Sequence, residues 1–251
     1  MSLISIIIIC FAGFFGAIVD AIVGGGGLIT TPALLAVGLP IHLALGTNKF
    51  ASSMGTLSSS YHYYKTGNVN FKMLKYLLPF SLIGSTFGVL SVLSLNPDFL
   101  RVLVIVLVIV IGGYTLLKKD LGLVDEYNGI STKKIVFGIA LALPLGFYDG
   151  FFGPGTGSFL IFGLISIFGF DFKKASANSK LMNLMSNTTA LFLFLIHGKV
   201  MFEVAIPMAI SMAIGAKVGA HLAVEKGASF IKPIFIVVSF LLVVKMTFDL
   251  I

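Results

Sequence analysis

Few of the 251 residues are charged, and only one is a cysteine. Charged side chains make up 11% of the chain, whereas an ordinary soluble domain carries roughly 25%. The single Cys10 permits neither an internal disulfide nor a multi-cysteine metal site. The P-loop pattern GxxxxGK(S/T) is absent, and the four histidines lack the spacing of metal ligands. These absences exclude a secreted disulfide module and a cytosolic enzyme, and no cofactor or metal is expected.

The chain has long uncharged runs instead. Hydrophobic residues make up 57% of it, and the mean hydropathy is +1.06. About 20 apolar residues at 1.5 Å each cross a hydrocarbon core of about 30 Å. The sequence therefore predicts an all-α polytopic membrane protein. The uncharged runs cover residues 76–97, 102–117, 135–148, 150–170 and 181–198.

The formal net charge of +7 does not indicate a nucleic-acid partner, because the basic residues stand singly or in pairs between apolar runs. That pattern is typical of the cytoplasmic loops of a membrane protein. The segment Met1–Val19 resembles a signal peptide, but no basic residue precedes its apolar run and no clear small-residue cleavage site follows it. We interpret it as a retained helix.

The sequence contains an internal duplication, and an internal repeat of this kind is a strong indication of the overall architecture. We interpret 1–117 as a first transmembrane repeat, 118–134 as a polar linker and 135–251 as a second repeat. The matching residues keep their order and nearly their spacing. Asp20, Gly24 and Gly26 match Asp149, Gly153 and Gly155 at 129 residues, Asn48 matches Asn178 at 130, and Gly67, Val69, Gly84 and Gly88 match Gly198, Val200, Gly215 and Gly219 at 131.

Each repeat is predicted to hold a broken, re-entrant hairpin followed by three transmembrane helices, or about eight long membrane helices in total. The second arm of each hairpin is too short to span a bilayer comfortably. The hairpin arms are predicted at 3–19 with 28–38 and at 135–148 with 158–169, and the longer helices at 46–64, 74–94, 99–117, 176–196, 203–222 and 231–250.

Lysine placement predicts the orientation. If the linker is cytoplasmic, most loop lysines lie inside, and only Arg101 and Lys199 remain outside. Both termini are then outside, and the second repeat is inverted relative to the first, as in many secondary transporters. A duplicated scaffold without transport is the alternative. The inner lysines are Lys65, Lys72, Lys75, Lys118, Lys119, Lys133, Lys134, Lys173, Lys174, Lys226 and Lys232.

Two glycine clusters are the first candidate site, because glycine breaks a helix readily. Broken backbone at membrane depth is tolerated where it is buried or lines a cavity, and the helix N-terminus that follows it attracts anions. Flexible surface loops are the alternative interpretation. The candidate binding residues are Gly24, Gly25, Gly26, Gly27, Gly153, Gly155 and Gly157, with hydroxyl donors from Thr30, Thr156 and Ser158.

Asp20 and Asp149 stand at equivalent points, each after a long uncharged run. An ionisable side chain inside a membrane is expensive and indicates a functional site. Each carboxylate could cap a helix, accept a proton or bind a cation. Both are candidates for proton coupling.

Asparagine and lysine open the next helix of each repeat, as Asn48-Lys49 and as Asn178-Ser179-Lys180. The asparagines could be helix caps, and lysines that face a cavity would supply a countercharge for an anion. Relative to the asparagines the two lysines are offset by one residue, which weakens a strict two-fold site. Further along, Asn183 belongs to a polar face that could line a path or form interhelical hydrogen bonds.

The paired motifs resemble the sulfite exporter TauE/SafE family. The likeness covers about residues 5–250, and it depends on 13–27, Pro32, 46–49, 150–157 and 177–180. The resemblance implies an inner-membrane carrier of small anions, typically sulfite or sulfur-containing organic anions. Gly25 and Gly27 stand where the second copy has Pro154 and Thr156, which leaves open whether both hairpins contact substrate equally.

We therefore expect a secondary transporter that exports a small anion by alternating access, with the anion and the lipid bilayer as its partners. The glycine tips would hold the anion, and Asn48, Lys49, Asn178 and Lys180 would flank it. An anion channel, an importer of another small solute and a scaffold without transport remain alternatives. The sequence does not predict an oligomeric state.

Overall fold

In the computed structural model, the chain is described for residues 1–100, 102, 106 and 124–248, with side chains described as far as Lys226. These residues form helices and connections, with no strand among them, so the all-α prediction is confirmed. The helices are α1 (Leu3–Val23), α2 (Gly27–Ala36), α3 (Ile41–Lys65), α4 (Phe71–Leu93), α5 (Thr132–Phe151), α6 (Thr156–Phe168), α7 (Phe172–Ile196) and α8 (Phe202–Phe248).

Four helices in the described part of the chain are long and apolar enough to cross a membrane. They are α1, α4, α5 and the segment Phe202–Lys226 of α8. The second hairpin arms, α2 and α6, are apolar but short, with 10 and 13 residues. The 25-residue helices α3 and α7 carry many polar side chains. The eight-helix inverted arrangement stays a prediction.

The observed helix boundaries differ from the predicted ones where capping decides them. Helix α3 begins directly after Pro40, which has extended backbone angles, and α7 begins after Asp171, whose side chain accepts a hydrogen bond from the Lys174 N–H. Helix α8 is continuous where two helices were predicted, because the intervening 223–230 contains one glycine and no proline. The helix predicted at 99–117 lies mostly outside the described residues, as do Arg101 and linker residues 118–123.

Besides a buried apolar core, this protein buries many polar side chains and exposes many large apolar ones. Lys180 has no exposed surface, whereas Leu3 is 74% exposed and Phe87 is 60% exposed. A soluble protein shows the opposite tendency, so this distribution fits a surface covered by lipid. The interior polar residues lie mainly on α3 and α7, which makes these two helices the centre of the fold. Buried polar residues on them include Asn48, Lys49, Ser53, Thr56, Ser59, Asn178, Ser179, Lys180, Asn183, Ser186 and Asn187.

Helix α4 of the first predicted repeat and helix α8 of the second each pack against helices of the other repeat. Helix α4 packs on α5 and α7, and α8 packs on α1 and α3. A Cβ atom added at Gly84 would lie 2.2 Å from the Leu143 carbonyl oxygen, and one at Gly215 would lie 2.2 Å from the Phe14 carbonyl oxygen. The Gly-x-x-x-Gly pairs therefore bring backbones into close contact. Two bundles result, α1–α3 with α8 and α4–α7.

Candidate functional site

The two glycine tips touch each other at the centre of the molecule. A Cβ added at Gly24 would lie 2.2 Å from the Gly157 carbonyl carbon, so only glycine permits this approach. Gly24 also has φ = +78°, a backbone conformation that favours glycine. The Ser158 hydroxyl donates to the Val23 carbonyl oxygen at 2.6 Å, which ties the second tip to the end of α1.

Two lysine–aspartate ion pairs cross between the predicted repeats beside these tips. Lys49 Nζ lies 3.0 Å from Asp149 Oδ1, and Lys180 Nζ lies 2.7 Å from Asp20 Oδ2. Each lysine thus contacts the aspartate of the other predicted repeat. Because an uncompensated charge in the interior is costly, each pair makes both of its members tolerable there.

The two pairs differ in their surroundings. Both side chains of the Lys49–Asp149 pair are about 95% buried, and Lys49 Nζ also donates to Asn187 Oδ1 at 2.9 Å. The Ser186 hydroxyl contacts the second carboxylate oxygen of Asp149. In the other pair Lys180 is fully buried, but the Asp20 side chain is 22% exposed.

A small polar cavity of about 30 Å³ lies between the tips and the central helices. This volume holds about two water molecules. Two aspartates and one lysine line it, and Lys180, which lies outside the lining, pairs with Asp20, so the four charges around the cavity balance. The lining residues are Asp20, Gly24, Gly27, Asn48, Lys49, Ser52, Asp149, Gly153, Gly157, Asn183, Asn187 and Met212.

Two helix N-termini and two unpartnered amides face this cavity. Gly27 opens α2, and Gly157 lies in the first turn of α6, so the positive ends of both helix dipoles face the cavity, while the N–H groups of Leu28, Ile29 and Ser158 donate to tip carbonyl oxygens. The Oδ1 atoms of Asn48 and Asn183 are buried without a hydrogen-bond partner, although both side chains line the cavity. A buried amide normally finds a partner, so these two groups are available to a ligand.

The cavity brings together more than half of the residues predicted from the sequence. Asn48, Lys49, Asn183, both aspartates and four tip glycines line it. The other candidates lie nearby or are engaged elsewhere. Thr30 donates to the Gly26 carbonyl oxygen and Thr156 to the Gly153 carbonyl oxygen, so both hydroxyls stabilise the tips. The predicted binding residues that do not line the cavity are Gly25, Gly26, Thr30, Gly155, Thr156, Ser158, Asn178 and Lys180.

Asn178 is not the structural counterpart of Asn48. Its Oδ1 accepts the Asn70 N–H at 2.8 Å, and its Nδ2 donates to the Lys174 carbonyl oxygen at 2.7 Å, so it anchors the connection between α3 and α4. Lys49 and Lys180 are the equivalent residues, 131 positions apart. The one-residue offset relative to the asparagines does not affect the ion pairs, because Lys49 and Lys180 each contact the aspartate of the other predicted repeat.

Ser52, Asn187 and Met212 also line the cavity but were not predicted as binding residues. The sequence spacing could have identified Ser52, because it precedes Asn183 by the same 131 residues that separate the two lysines. Asn187 lies one turn beyond Asn183 on the same helix face. Met212 is apolar and lies in a different helix, so nothing local distinguishes it. The described residues contain no group of three or more histidine, cysteine, aspartate or glutamate side chains that could hold a metal.

Comparison of the sequence with known proteins identifies relatives of this chain. The family model for the sulfite exporter TauE/SafE matches residues 9–246. A probable membrane transporter protein of Haemophilus influenzae is 38% identical over 237 residues, which are 94% of this chain and 92% of that protein. No solved structure matches the chain significantly.

Two further relatives agree with this assignment. The probable membrane transporter protein ORF9 of Sinorhizobium sp. is 38% identical and covers 95% of this chain and 90% of its own. The probable membrane transporter protein YfcA of Escherichia coli K12 is 35% identical and covers 96% of this chain and 89% of its own. The chain therefore belongs to the sulfite exporter TauE/SafE family, a family of membrane transporters and not of enzymes.

Proposed function

We propose that this protein is a secondary transporter that exports a small anion, such as sulfite or an organosulfonate, by alternating access. The family description supports sulfite as a substrate class. The observation that carries the proposal is the buried cavity in which Lys49, the unpartnered amides of Asn48 and Asn183, and two helix N-termini converge. An oxyanion takes hydrogen bonds from all of these donor types.

Rotation of either amide by 180° about its last side-chain bond would present Nδ2–H donors to the cavity, since oxygen and nitrogen occupy similar positions. Asn48 lies on α3 and Asn183 on α7, so an anion between them would contact both central helices. Lys49 would add a charge-assisted hydrogen bond. Lys180 would not contact the anion but would hold the Asp20 carboxylate in position through their ion pair.

Alternating access would consist of rocking between the two helix bundles. The bundles meet along α3 and α7 and at the glycine tips, so the proposed site lies at their interface, as in other transporters built from repeats. A cavity with room for about two waters is smaller than an organosulfonate. Substrate entry therefore requires the bundles to separate.

The topology we propose has inverted repeats at 1–117 and 135–251, with a cytoplasmic linker at 118–134 and both termini outside a bacterial inner membrane. The lysine distribution supports this orientation. Asp20 and Asp149 are the candidates for proton coupling, because both carboxylates line the cavity and each is paired with a buried lysine.

Reconstituted protein tests the proposal directly. Proteoliposomes loaded with labelled sulfite should release it faster than protein-free liposomes, and a panel of sulfate, thiosulfate, sulfoacetate and carboxylates would define the substrate. Single-channel recording separates a carrier, which conducts no measurable current steps, from a channel. Sulfite and panel fluxes equal to those of empty liposomes would overturn the proposal.

The matched variants are Asn48→Ala with Asn183→Ala, against Lys65→Gln at the exposed end of α3. Removing an unsatisfied buried oxygen does not break a hydrogen bond, so the double variant should be at least as stable as the wild type. Its flux should fall at least tenfold, since two substrate contacts at about 1 kcal/mol each are lost. The Lys65→Gln flux should be unchanged.

A further inference from the structure

We propose that the two crossed ion pairs have different roles. The Lys49–Asp149 pair breaks when the site binds one monoanion together with one proton, and the Lys180–Asp20 pair stays intact and holds the two predicted repeats together. This inference rests on the proposed function and assigns its coupling step to particular atoms. Three differences between the pairs support it: the position of the lysine, the balance of charge, and the groups around each carboxylate.

The first difference is the position of the lysine. Lys49 lines the cavity, whereas Lys180 does not line it and has no exposed surface. An ammonium group has three N–H donors, and those of Lys49 include one to Asp149 and one to Asn187. Lys49 can therefore donate a hydrogen bond to an anion in the cavity. Within the described part of the chain, the ammonium group of Lys180 donates to Asp20, which lines the cavity, and does not line it itself.

The second point is charge balance. Two lysines and two aspartates make the surroundings of the cavity neutral. A monoanion that binds alone would leave one uncompensated negative charge in the interior, which is costly. A proton added to one aspartate restores neutrality. Asp149 is the carboxylate whose counter-ion the anion would share, so it is the one that loses its compensation.

The third difference is the hydroxyl beside Asp149. Ser186 Oγ contacts Asp149 Oδ2 and also lies 3.2 Å from the carbonyl oxygens of Met182 and Asn183. It can donate to the carboxylate, or turn to donate to a helix carbonyl and accept from the protonated acid. Both protonation states of Asp149 are therefore hydrogen-bonded. The residue 131 positions earlier is Gly55, which offers no such acceptor near Asp20.

Among the described residues, the helices packed around Asp149 place no further charged side chain in contact with its carboxylate. Helix α3 contributes Lys49, and α7 contributes the uncharged Ser186 and Asn187, because Lys180 is engaged by Asp20. Helix α4 approaches through Ser85, at least ten residues from its two lysines, and α6 has no charged residue. The neighbouring Tyr148 donates its hydroxyl to the Pro154 carbonyl oxygen.

The binding step is then a balanced exchange of non-covalent partners. A proton from the aqueous side adds to a carboxylate oxygen of Asp149, and the resulting neutral acid keeps this proton and donates a hydrogen bond to Ser186 Oγ. Lys49 becomes the counter-ion of the anion, and no covalent bond to the substrate forms. The cavity stays neutral for a monoanion such as hydrogensulfite or an alkylsulfonate, whereas a dianion such as sulfate leaves one negative charge in excess.

Calorimetric titration of the purified full chain in detergent tests this inference. Methanesulfonate is the probe, since its charge is fixed across pH 5.5–8.5, and two buffers of different ionisation enthalpy report proton uptake. The wild type should take up about one proton per anion, and its affinity should fall up to tenfold per pH unit on the alkaline side. Sulfate should bind at least tenfold more weakly.

The symmetric variants Asp149→Asn and Asp20→Asn form the matched pair. Asp149→Asn should bind methanesulfonate without proton uptake and without pH dependence, whereas Asp20→Asn should keep the uptake of about one proton. Ser186→Ala, which retains all four charges, should move the onset of binding to higher pH, because the ionised carboxylate loses a charge-assisted hydrogen bond. Equal proton uptake by the two aspartate variants would overturn the inference, and so would binding by the wild type without proton uptake. If neither methanesulfonate nor sulfite binds to the wild type at any pH, the proposed function itself fails.

Discussion

The two glycine tips differ in backbone conformation and in the contacts that hold them: Gly26, before α2, has φ = −59°, whereas the equivalent Gly155, before α6, has φ = +85°. In the first tip, residues 24–27 are all glycine, and the close approach of Gly157 depends on the missing side chain. In the second tip the Tyr148 hydroxyl donates to the Pro154 carbonyl oxygen at 2.6 Å, and the Thr156 hydroxyl donates to the Gly153 carbonyl oxygen at 2.7 Å. Val19, which cannot donate, stands at the position equivalent to Tyr148.

This difference shows that a repeated motif does not imply repeated energetics. Both tips depend on fit, because a Cβ added at Gly24 or at Gly157 would clash with the other tip. The first tip has the side-chain hydrogen bond of Thr30 to the Gly26 carbonyl oxygen, whereas the second has those of Tyr148 and Thr156. The loss of one of these bonds should weaken the second tip without blocking its path. The predictions that follow are ordered by expected effect.

Gly24→Ala should be the most damaging change. The new Cβ would lie 2.2 Å from backbone atoms of Gly157, and those atoms cannot move independently of the second tip. We expect a loss of more than about 4 kcal/mol, which places the change among exceptional destabilisations. Thermal unfolding of the purified variant in detergent would measure it.

Gly67→Ala is the control for this contact. Gly67 also has a positive φ, +72°, but nothing lies within 4 Å of its added Cβ. Only the backbone conformation is then penalised, by about 1–2 kcal/mol. Equal losses at the two glycines would contradict the close packing of the tips.

Lys49→Met should cost about 3–5 kcal/mol, because it leaves Asp149 buried without its counter-ion. Lys180→Met should cost less, since the Asp20 side chain is 22% exposed and water can solvate part of its charge. Chemical or thermal unfolding at neutral pH gives the comparison. The double variant Lys49→Met with Asp149→Asn should recover part of the loss, and a double variant as unstable as the single one would argue against the pairing.

Both the glycine breaks and the polar central helices could be predicted from the sequence, because these features are local. A glycine run ends a helix wherever it occurs, and a repeat is visible in spacing alone. The crossed ion pairs could not be predicted, since Lys49 and Asp149 are 100 residues apart and no local pattern relates them. The misassignment of Asn178 had the same origin: two asparagines match in type, but tertiary contacts occupy one of them and leave the other free.

Tyr148→Phe should make the second tip resemble the first. It removes one hydrogen bond to a backbone carbonyl, so we expect a loss of about 1 kcal/mol and a folded protein. Tyr64→Phe, at an exposed tyrosine, is the control and should have no measurable effect. If the loss at Tyr148 equalled that at Gly24, the distinction between a hydrogen bond within one tip and the close contact between the tips would fail.

The smallest effect is expected at the surface, in the pair formed by Asp125 and Lys174. The hydrogen bond from Lys174 holds the pKa of Asp125 below its ordinary value of 3.8. The folded state thus binds this proton more weakly than the unfolded state, and the pair stabilises the fold at neutral pH. Asp125→Asn should cost less than about 1 kcal/mol at pH 7, as for other exposed pairs.

This small difference between wild type and Asp125→Asn should shrink as the pH falls below 3.8 and vanish once the carboxyl group is protonated in the folded protein. Unfolding curves recorded at neutral and at acidic pH would measure it. A difference that grows on acidification would contradict the lowered pKa.

The packing of α4 on α5 and of α8 on α1 has a consequence for biosynthesis. Helix α4 is made before its partner α5, and α1 is made long before its partner α8. A partly synthesised chain therefore contains Lys49 and Asp20 before their counter-ions Asp149 and Lys180 exist. A chain made only as far as α4 leaves the packing surfaces of α1 and α4 uncovered, and synthesis of α5 and α8 is needed to cover them.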